Sequence, residues 1–422
     1  MKHRKQYPFR GFRFNQSSVA AVALALFVLL TMSVAHAQTL TVLHNFTGPD
    51  GWNPVAALTM DRAGNLYSTT DVGGANNRGT VFKLSRAGSG WALTTLYSFT
   101  GEDDGGYVYG GVTFGPDGSL YGTTAYDGQY GHGVVYRLRP SPTRCKSALC
   151  PWEETVVHGF TGDSDGGNPG GGNLLFDQAG NFYGTTTVGG YGEGVVFKIA
   201  PSSGGWTESV LWEFYNTADG FNPFSGLISD SADNLYGTTS SGGSQGYFSG
   251  VVYELSPSGS GWTFQLLSSV EFPSTATCGG VVMDGKGNLF GTSGCDSLGD
   301  PGGVFELTPS NGGWTFNTLY KFSSPDGPDA SPTLDAAGNV YGTSSGTGAY
   351  GYGEVFKLTP SNGGWIYTDL HDFTGGTDGA YPGGPVLLDA EGNLYGTTAY
   401  GGTGPCNIEQ YNGCGVVWEI TP

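Results

Sequence analysis

One phrase recurs seven times along the chain. It reads Leu66-Tyr67-Ser68-Thr69-Thr70, Leu120-Tyr121-Gly122-Thr123-Thr124, Phe182-Tyr183-Gly184-Thr185-Thr186, Leu235-Tyr236-Gly237-Thr238-Thr239, Leu289-Phe290-Gly291-Thr292-Ser293, Val340-Tyr341-Gly342-Thr343-Ser344 and Leu394-Tyr395-Gly396-Thr397-Thr398. The aromatic positions lie 54, 62, 53, 54, 51 and 54 residues apart. A unit this short cannot bury a core alone and must stack on its neighbours, so the repeat limits the chain to a ring or a solenoid.

Each unit holds four strand-like runs. In the third they are Asn173-Leu174-Leu175-Phe176, Phe182 to Thr186, Val195 to Ile199 and Trp206 to Phe214. Gly, Pro, Asn and Asp punctuate them, as strands require. The chain has 76 Gly and 22 Pro in 422 residues, without a three-residue Gly period. That excludes collagen and leaves little room for long helices. The turn phrase D-x-x-G-N, at Asp61, Asp177, Asp335 and Asp389, supplies a side-chain acceptor and a Gly able to take positive φ. Its Asp reads as turn chemistry rather than catalysis.

The ends of the chain decide between ring and solenoid. The fourth-run phrase Leu319-Tyr320-Lys321-Phe322 has an early counterpart, Leu43-His44-Asn45-Phe46, ahead of the first unit. The last unit stops after its third run, Val416 to Ile420. A strand from residues 40–46 completing the last unit would close a ring and remove two exposed edges. The expected fold is all-β: a seven-bladed β-propeller with four antiparallel strands per blade.

The start of the chain is separate. Five of the 17 basic residues lie in the first 13 positions, ahead of the apolar run Val19 to Val34 and Ala35-His36-Ala37. This is the pattern of a signal peptide cut after Ala37, with an uncleaved anchor as the alternative. The expected domains are residues 1–37 (signal) and 38–422 (propeller), secreted or periplasmic. No second apolar stretch nears spanning length. The six cysteines suit an oxidising compartment and pair locally: Cys145 with Cys150, Cys278 with Cys295, Cys406 with Cys414. The middle pair brackets a hairpin turn, so its members should face each other across adjacent strands. A net charge of −19 argues against nucleic acid as a partner.

The phrases L-Y-G-T-T, G-G-x-x-G-x-G-x-V-F-K-L-T-P, G-G-W-T and L-x-x-F-T-G-x-D-G follow one another in fixed order, with Gly353-Glu354-Val355-Phe356-Lys357-Leu358-Thr359-Pro360 a near-ideal copy. Together they closely resemble the GloVer tandem-repeat family of exported bacterial proteins. The resemblance implies an exported or surface protein with propeller-like repeats, and no particular activity. The D-x-x-G-N-L-Y hairpin alone is similar to propellers of the lactonase and NHL types.

Candidate chemistry concentrates on one loop face. Asp-Gly recurs between the fourth run and the next unit at Asp50, Asp104, Asp165, Asp219, Asp326 and Asp378; the fifth unit lacks it and has Cys278 nearby. The loops between second and third runs should share that face and carry Tyr126, Tyr130, Tyr191, Tyr247, Phe248, Tyr350, Tyr352 and Tyr400, with His132 beside them. His44, His158 and His371 share a slot with Tyr97, Trp212 and Tyr320, which reads as packing. No cofactor is expected. Calcium is the alternative, but one or two carboxylates per loop fall short of the about six to eight oxygens it takes. Small residues opening the inner strands should leave a concave pocket at the axis.

The expected function is a non-catalytic, monomeric binding module. Its ligand is a glycan or surface protein, held by Asp104, Asp165, Asp219, Asp378, Tyr126, Tyr130, His132, Tyr191, Tyr350 and Tyr352. The alternatives are a lactonase- or polysaccharide-lyase-type enzyme using the axial pocket, and a purely structural surface protein.

Overall fold

The computed structural model describes residues 38–141, 152–244, 249–272, 276–295, 301–324, 327–408 and 411–422. The expected signal peptide, Cys145 and Cys150, Tyr247, Phe248 and Asp326 lie outside them. Residues 40–421 form one compact unit, a seven-bladed β-propeller. The described residues contain no helix, and so none long and apolar enough to cross a membrane.

Blade 1 consists of Thr59–Met60, Leu66–Thr70, Thr80–Ala87 and Gly90–Ser98, from axis to rim. The next five blades repeat this order, and blade 3 adds a short strand, Gly167–Pro169, paired with the end of its second strand, Phe182–Val188. Blade 7 is Leu387–Leu388, Leu394–Thr398 and Val416–Thr421, completed by Thr39–Asn45 as its outer strand. The ring is therefore closed by the N-terminal strand, and Phe46 N donates to Gly415 O at 3.1 Å.

The repeated phrase is explained residue by residue. Its Leu is buried between blades. Its Tyr hydroxyl donates to the turn Asp, for example Tyr183 to Asp177 at 3.0 Å and Tyr395 to Asp389 at 3.1 Å. The Asp is occupied further: in blade 3 its Oδ1 accepts from Ala179 N and Asn181 N at 2.9 Å, and its Oδ2 from Asn181 Nδ2 at 2.7 Å. The Gly makes room for the third strand's ring; a Cβ on Gly184 would come within 2.5 Å of Phe197.

The two Thr positions face different ways. The first ties blade to blade: Thr69 donates to Gly110 O at 2.9 Å, Thr185 to Ser225 O at 2.9 Å and Thr292 to Ala330 O at 2.7 Å. The second staples the following loop, as when Thr186 donates to Val188 O at 3.0 Å and accepts from Val195 N at 3.2 Å. These bonds also explain a departure from expectation. The innermost strands are only two residues long where four-residue runs are expected. Just before them, carbonyls pair with hydroxyls of the neighbouring blade instead of with a ladder.

Two disulfides match the expected pairing. Cys278–Cys295 joins the ends of the blade 5 inner hairpin (Cα–Cα 5.9 Å), and Cys406–Cys414 closes a blade 7 loop (Cα–Cα 5.0 Å).

Candidate functional site

In five of the blades the entering loop zips onto that blade's own second-to-third-strand loop, in blade 3 through Gly167 and Val188. Trp52 pairs with Val72, Gly106 with Tyr126, Phe221 with Ser241 and Ala380 with Tyr400. Both loop sets therefore share one face, as the alternation of antiparallel strands requires.

The Asp-Gly carboxylates are used inside these loops. Asp104 is 7% exposed and accepts from Tyr97 Oη at 2.8 Å and Thr100 N at 2.9 Å. Asp219 is 5% exposed and accepts from Asn216 N at 3.0 Å. Asp165 accepts from Thr161 N at 3.1 Å and the Thr161 hydroxyl, and lies 3.3 Å from His158 Nε2. Asp378 repeats this with Thr374 and with His371 Nε2 at 3.2 Å. The slot histidines pack edge-on against Phe46, Phe160 and Phe373, and each also faces its loop Asp. His132 is half-buried over Gly162, its Nδ1 3.3 Å from Asn168 Oδ1.

The tyrosines stand differently. Tyr191 is 74% exposed and meets Tyr215 edge-on at 5.8 Å. Tyr350, Tyr126 and Tyr352 are also exposed. Tyr126 leans on Tyr107 and Tyr109, and Tyr352 on Tyr381. Tyr130, 52% exposed, overhangs a groove of about 670 Å³ that it lines with Asp103, Gln129, His158, Thr161 and Asp165. Burial lowers the His158 pKa against the pull of Asp165, so its imidazole is held neutral. The groove thus gathers two of the ten nominated residues, Tyr130 and Asp165.

The expected axial pocket is present, with a volume of about 500 Å³. None of the ten nominated residues lines it. Its wall includes Tyr109, Asn173, Phe224, Asp329 and the Cys278–Cys295 disulfide. Burial, with Asp71 and two tyrosines adding, pushes the Tyr109 hydroxyl up to about 12.

Asp71 was not legible in the sequence. It is 8% exposed, accepts from Asn53 Nδ2 at 3.2 Å through Oδ2, and keeps Oδ1 buried without a hydrogen-bond partner. Burial raises its pKa to about 6, against that one bond. The other blades carry Ala125, Thr187, Ser240, Gly294, Ser345 and Ala399 at this position.

Among the described residues one acidic cluster has carboxylates close enough together to hold a metal ion. Glu354, Asp369 and Asp372 bring carboxylate oxygens within 4.8 Å of one another. Protein donors already serve it, Thr347 Oγ1 to Glu354 at 2.7 Å and Ala349 N to Asp372 at 2.8 Å. Burial and the two neighbouring acids raise Asp369 to about 6, so the cluster holds a proton readily.

A closed ring of seven stapled blades, with a rim groove and an axial cavity, defines a propeller repeat protein. The chain belongs to the Gloeobacter/Verrucomicrobia repeat family, whose sequence pattern matches residues 29–155, 147–333 and 245–422. No curated protein matches it. Among solved structures it is similar to a Thermus thermophilus protein assigned as an oxidoreductase (glucose dehydrogenase), at 16% identity over 91% of this chain and 100% of that one, TM-score 0.45. It is also similar to a protein assigned as a gluconolactonase, at 12% identity over 91% and 92%, TM-score 0.37. A protein of unknown function from Dyadobacter fermentans matches at 12% identity over 91% and 99%, TM-score 0.45. At these identities the likeness extends to the fold alone.

Proposed function

We propose that the protein is an exported, non-catalytic binding module that holds a neutral glycan on its loop face. The observation that carries this reading is the rim groove. There an exposed ring, Tyr130, stands over an amide (Gln129), a neutral imidazole (His158) and two carboxylates (Asp103 and Asp165) in one concavity. A sugar presents C–H faces to aromatic rings and hydroxyls to such acceptors and donors. Among the described residues no Lys or Arg lines the groove, so an acidic glycan would meet only repulsion. Tyr191 and Tyr352 offer further stacking platforms on the same face.

The enzyme reading asks for an acid/base pair converging on the axial cavity. Among the described residues Asp329 is the one carboxylate on its wall, with no His, Lys or Glu. That lining favours holding a ligand over transforming it.

An array of neutral oligosaccharides tests the reading, followed by calorimetry on the best ligand. Tyr130→Ala should weaken binding at least tenfold with the melting temperature unchanged. Adding Gln129→Ala should abolish it. Absence of any neutral-glycan binding, or indifference to both substitutions, would overturn the assignment.

A further inference from the structure

The axial cavity breaks the repeat in a particular way. The residue four positions before each inner strand is Val55, Tyr109, Gly171, Phe224, Cys278, Asp329 and Gly383 in blades 1 to 7. All seven line the cavity. The neighbouring position, one residue nearer the strand, is almost uniformly small: Ala56, Gly110, Gly172, Ser225, Gly279, Ala330 and Gly384. Crowding demands small residues there: a Cβ on Gly172 would collide with Gly226 N and one on Gly279 would come within 2.5 Å of Thr292 Oγ1, while the carbonyls of Gly110, Ser225, Gly279, Ala330 and Gly384 take hydroxyl bonds from the neighbouring blade. Nothing in the ring geometry demands that the adjacent position differ from blade to blade.

The lining has a chemical sense. Tyr109 and Phe224 lean towards each other over the gap left by Gly171, with ring centroids 6.5 Å apart. Asp329, in blade 6, contributes a carboxylate to the wall. Asn173 lines the cavity as well, and its Oδ1 is buried without a hydrogen-bond partner, an acceptor waiting for a donor. Among the described residues no basic side chain lines the cavity. Val55, Ile228, Val282 and the disulfide make the rest of the wall mostly apolar.

We propose that the axial cavity binds a compact organic ammonium ion carrying an aromatic or aliphatic body. The body would pack on Tyr109, Phe224 and the apolar wall. The N–H groups would be received by Asp329, and the Asn173 amide oxygen on the opposite wall would accept from a polar substituent of the body. A volume of about 500 Å³ suits a small metabolite rather than a polymer. The net charge of −19 steers cations towards the protein. This site is distinct from the rim groove, and neither assignment depends on the other.

Three probes of one shape test the proposal by titration calorimetry on the full protein: tryptamine (cationic), tryptophol (neutral) and indole-3-acetate (anionic). Tryptamine should bind at least tenfold more tightly than tryptophol, and indole-3-acetate should not bind. Asp329→Asn should weaken tryptamine about tenfold and leave tryptophol unchanged. Phe224→Leu should weaken both, while Tyr130→Ala in the rim groove should change neither. Absence of tryptamine binding, equal affinity for all three probes, or tryptamine affinity indifferent to Asp329→Asn in a protein with unchanged melting would overturn it.

Discussion

The two ends of each blade treat repetition in opposite ways. At the turn end, between first and second strands, one network recurs almost unchanged. Asp61, Asp177, Asp230, Asp335 and Asp389 each accept two backbone N–H groups, an Asn amide and a Tyr hydroxyl. At the loop end the residues facing the axis are nearly all different. A hairpin poses the same hydrogen-bonding problem seven times and receives the same answer in five blades; blade 5 lacks the Tyr hydroxyl because Phe290 stands there, and in blade 2 Ser119 and Arg137 stand in for the Asn amide. Apart from Cys278, whose disulfide braces blade 5, the axial position poses no folding problem that the blades share, so its diversity is free to serve a ligand.

The carboxylates follow the same division. Burial pushes the turn aspartates upward, but the hydrogen bonds outweigh it and hold Asp61, Asp177, Asp230 and Asp335 below the usual range. At the loop end burial wins for Asp71 and Asp219, whose values rise. The turn end is thus built to favour charge, while parts of the loop end carry it at a cost.

The largest expected effect comes from breaking the ring itself. A chain beginning at Gly51 lacks the strand that completes blade 7, so an edge is opened and the Leu43 and Phe46 packing is lost. Cooperative thermal unfolding should disappear or shift by tens of degrees in a melting scan. Unchanged melting would refute closure by this strand.

Next in size is the disulfide at the axial mouth. Replacing Cys278 and Cys295 by Ser removes a constraint spanning 17 residues, worth about 3 kcal/mol in the chain-entropy picture. The Cys406–Cys414 pair spans 8 residues and should cost less. Urea titration of both double variants ranks them.

Asp71 gives a pH signature of opposite sign to the turn carboxylates. Its pKa is raised to about 6, so the native state binds the proton more tightly than the unfolded chain. Its destabilisation is full above about pH 6 and vanishes as pH falls towards the ordinary carboxylate value near 4. Asp71→Asn should stabilise the protein by about 2–3 kcal/mol at pH 8 and change little at pH 4. Chemical denaturation at both pH values checks this.

The smallest effect probes a single copy of the turn network. Tyr183→Phe removes one hydroxyl donated to Asp177 and should cost about 1–2 kcal/mol, since a bond to a charged group is lost. A cost of that size at neutral pH, shrinking only below the ordinary carboxylate range because the Asp177 pKa is lowered, would confirm that charge strengthens the turn.

Much of this division could be read from the sequence. The repeat phrase, the split blade, the turn aspartates and two disulfides were all legible, because each meets a local geometric need that recurs. Burial was not. Asp104 and Asp219 look like exposed loop acids until Tyr97, Thr100 and Asn216 fold back on them. The axial ring escaped for a different reason. A search for repeats finds what recurs, and Val55, Tyr109, Phe224 and Asp329 are defined by not recurring. Aligning the units on the inner strand and asking which column varies would have found them. Asp71 falls in such a column too, opposite Ala, Ser, Thr and Gly.

Hydrogen exchange read by mass spectrometry, with and without saturating tryptamine, tests most directly whether the fold is held at one end of the blades and the small ligand at the other. Added protection should appear in the segments around Tyr109, Asn173, Phe224, Cys278 and Asp329, and the Asp-x-x-Gly-Asn turns should exchange as before. Protection at the turns, or none at the axial segments, would contradict it.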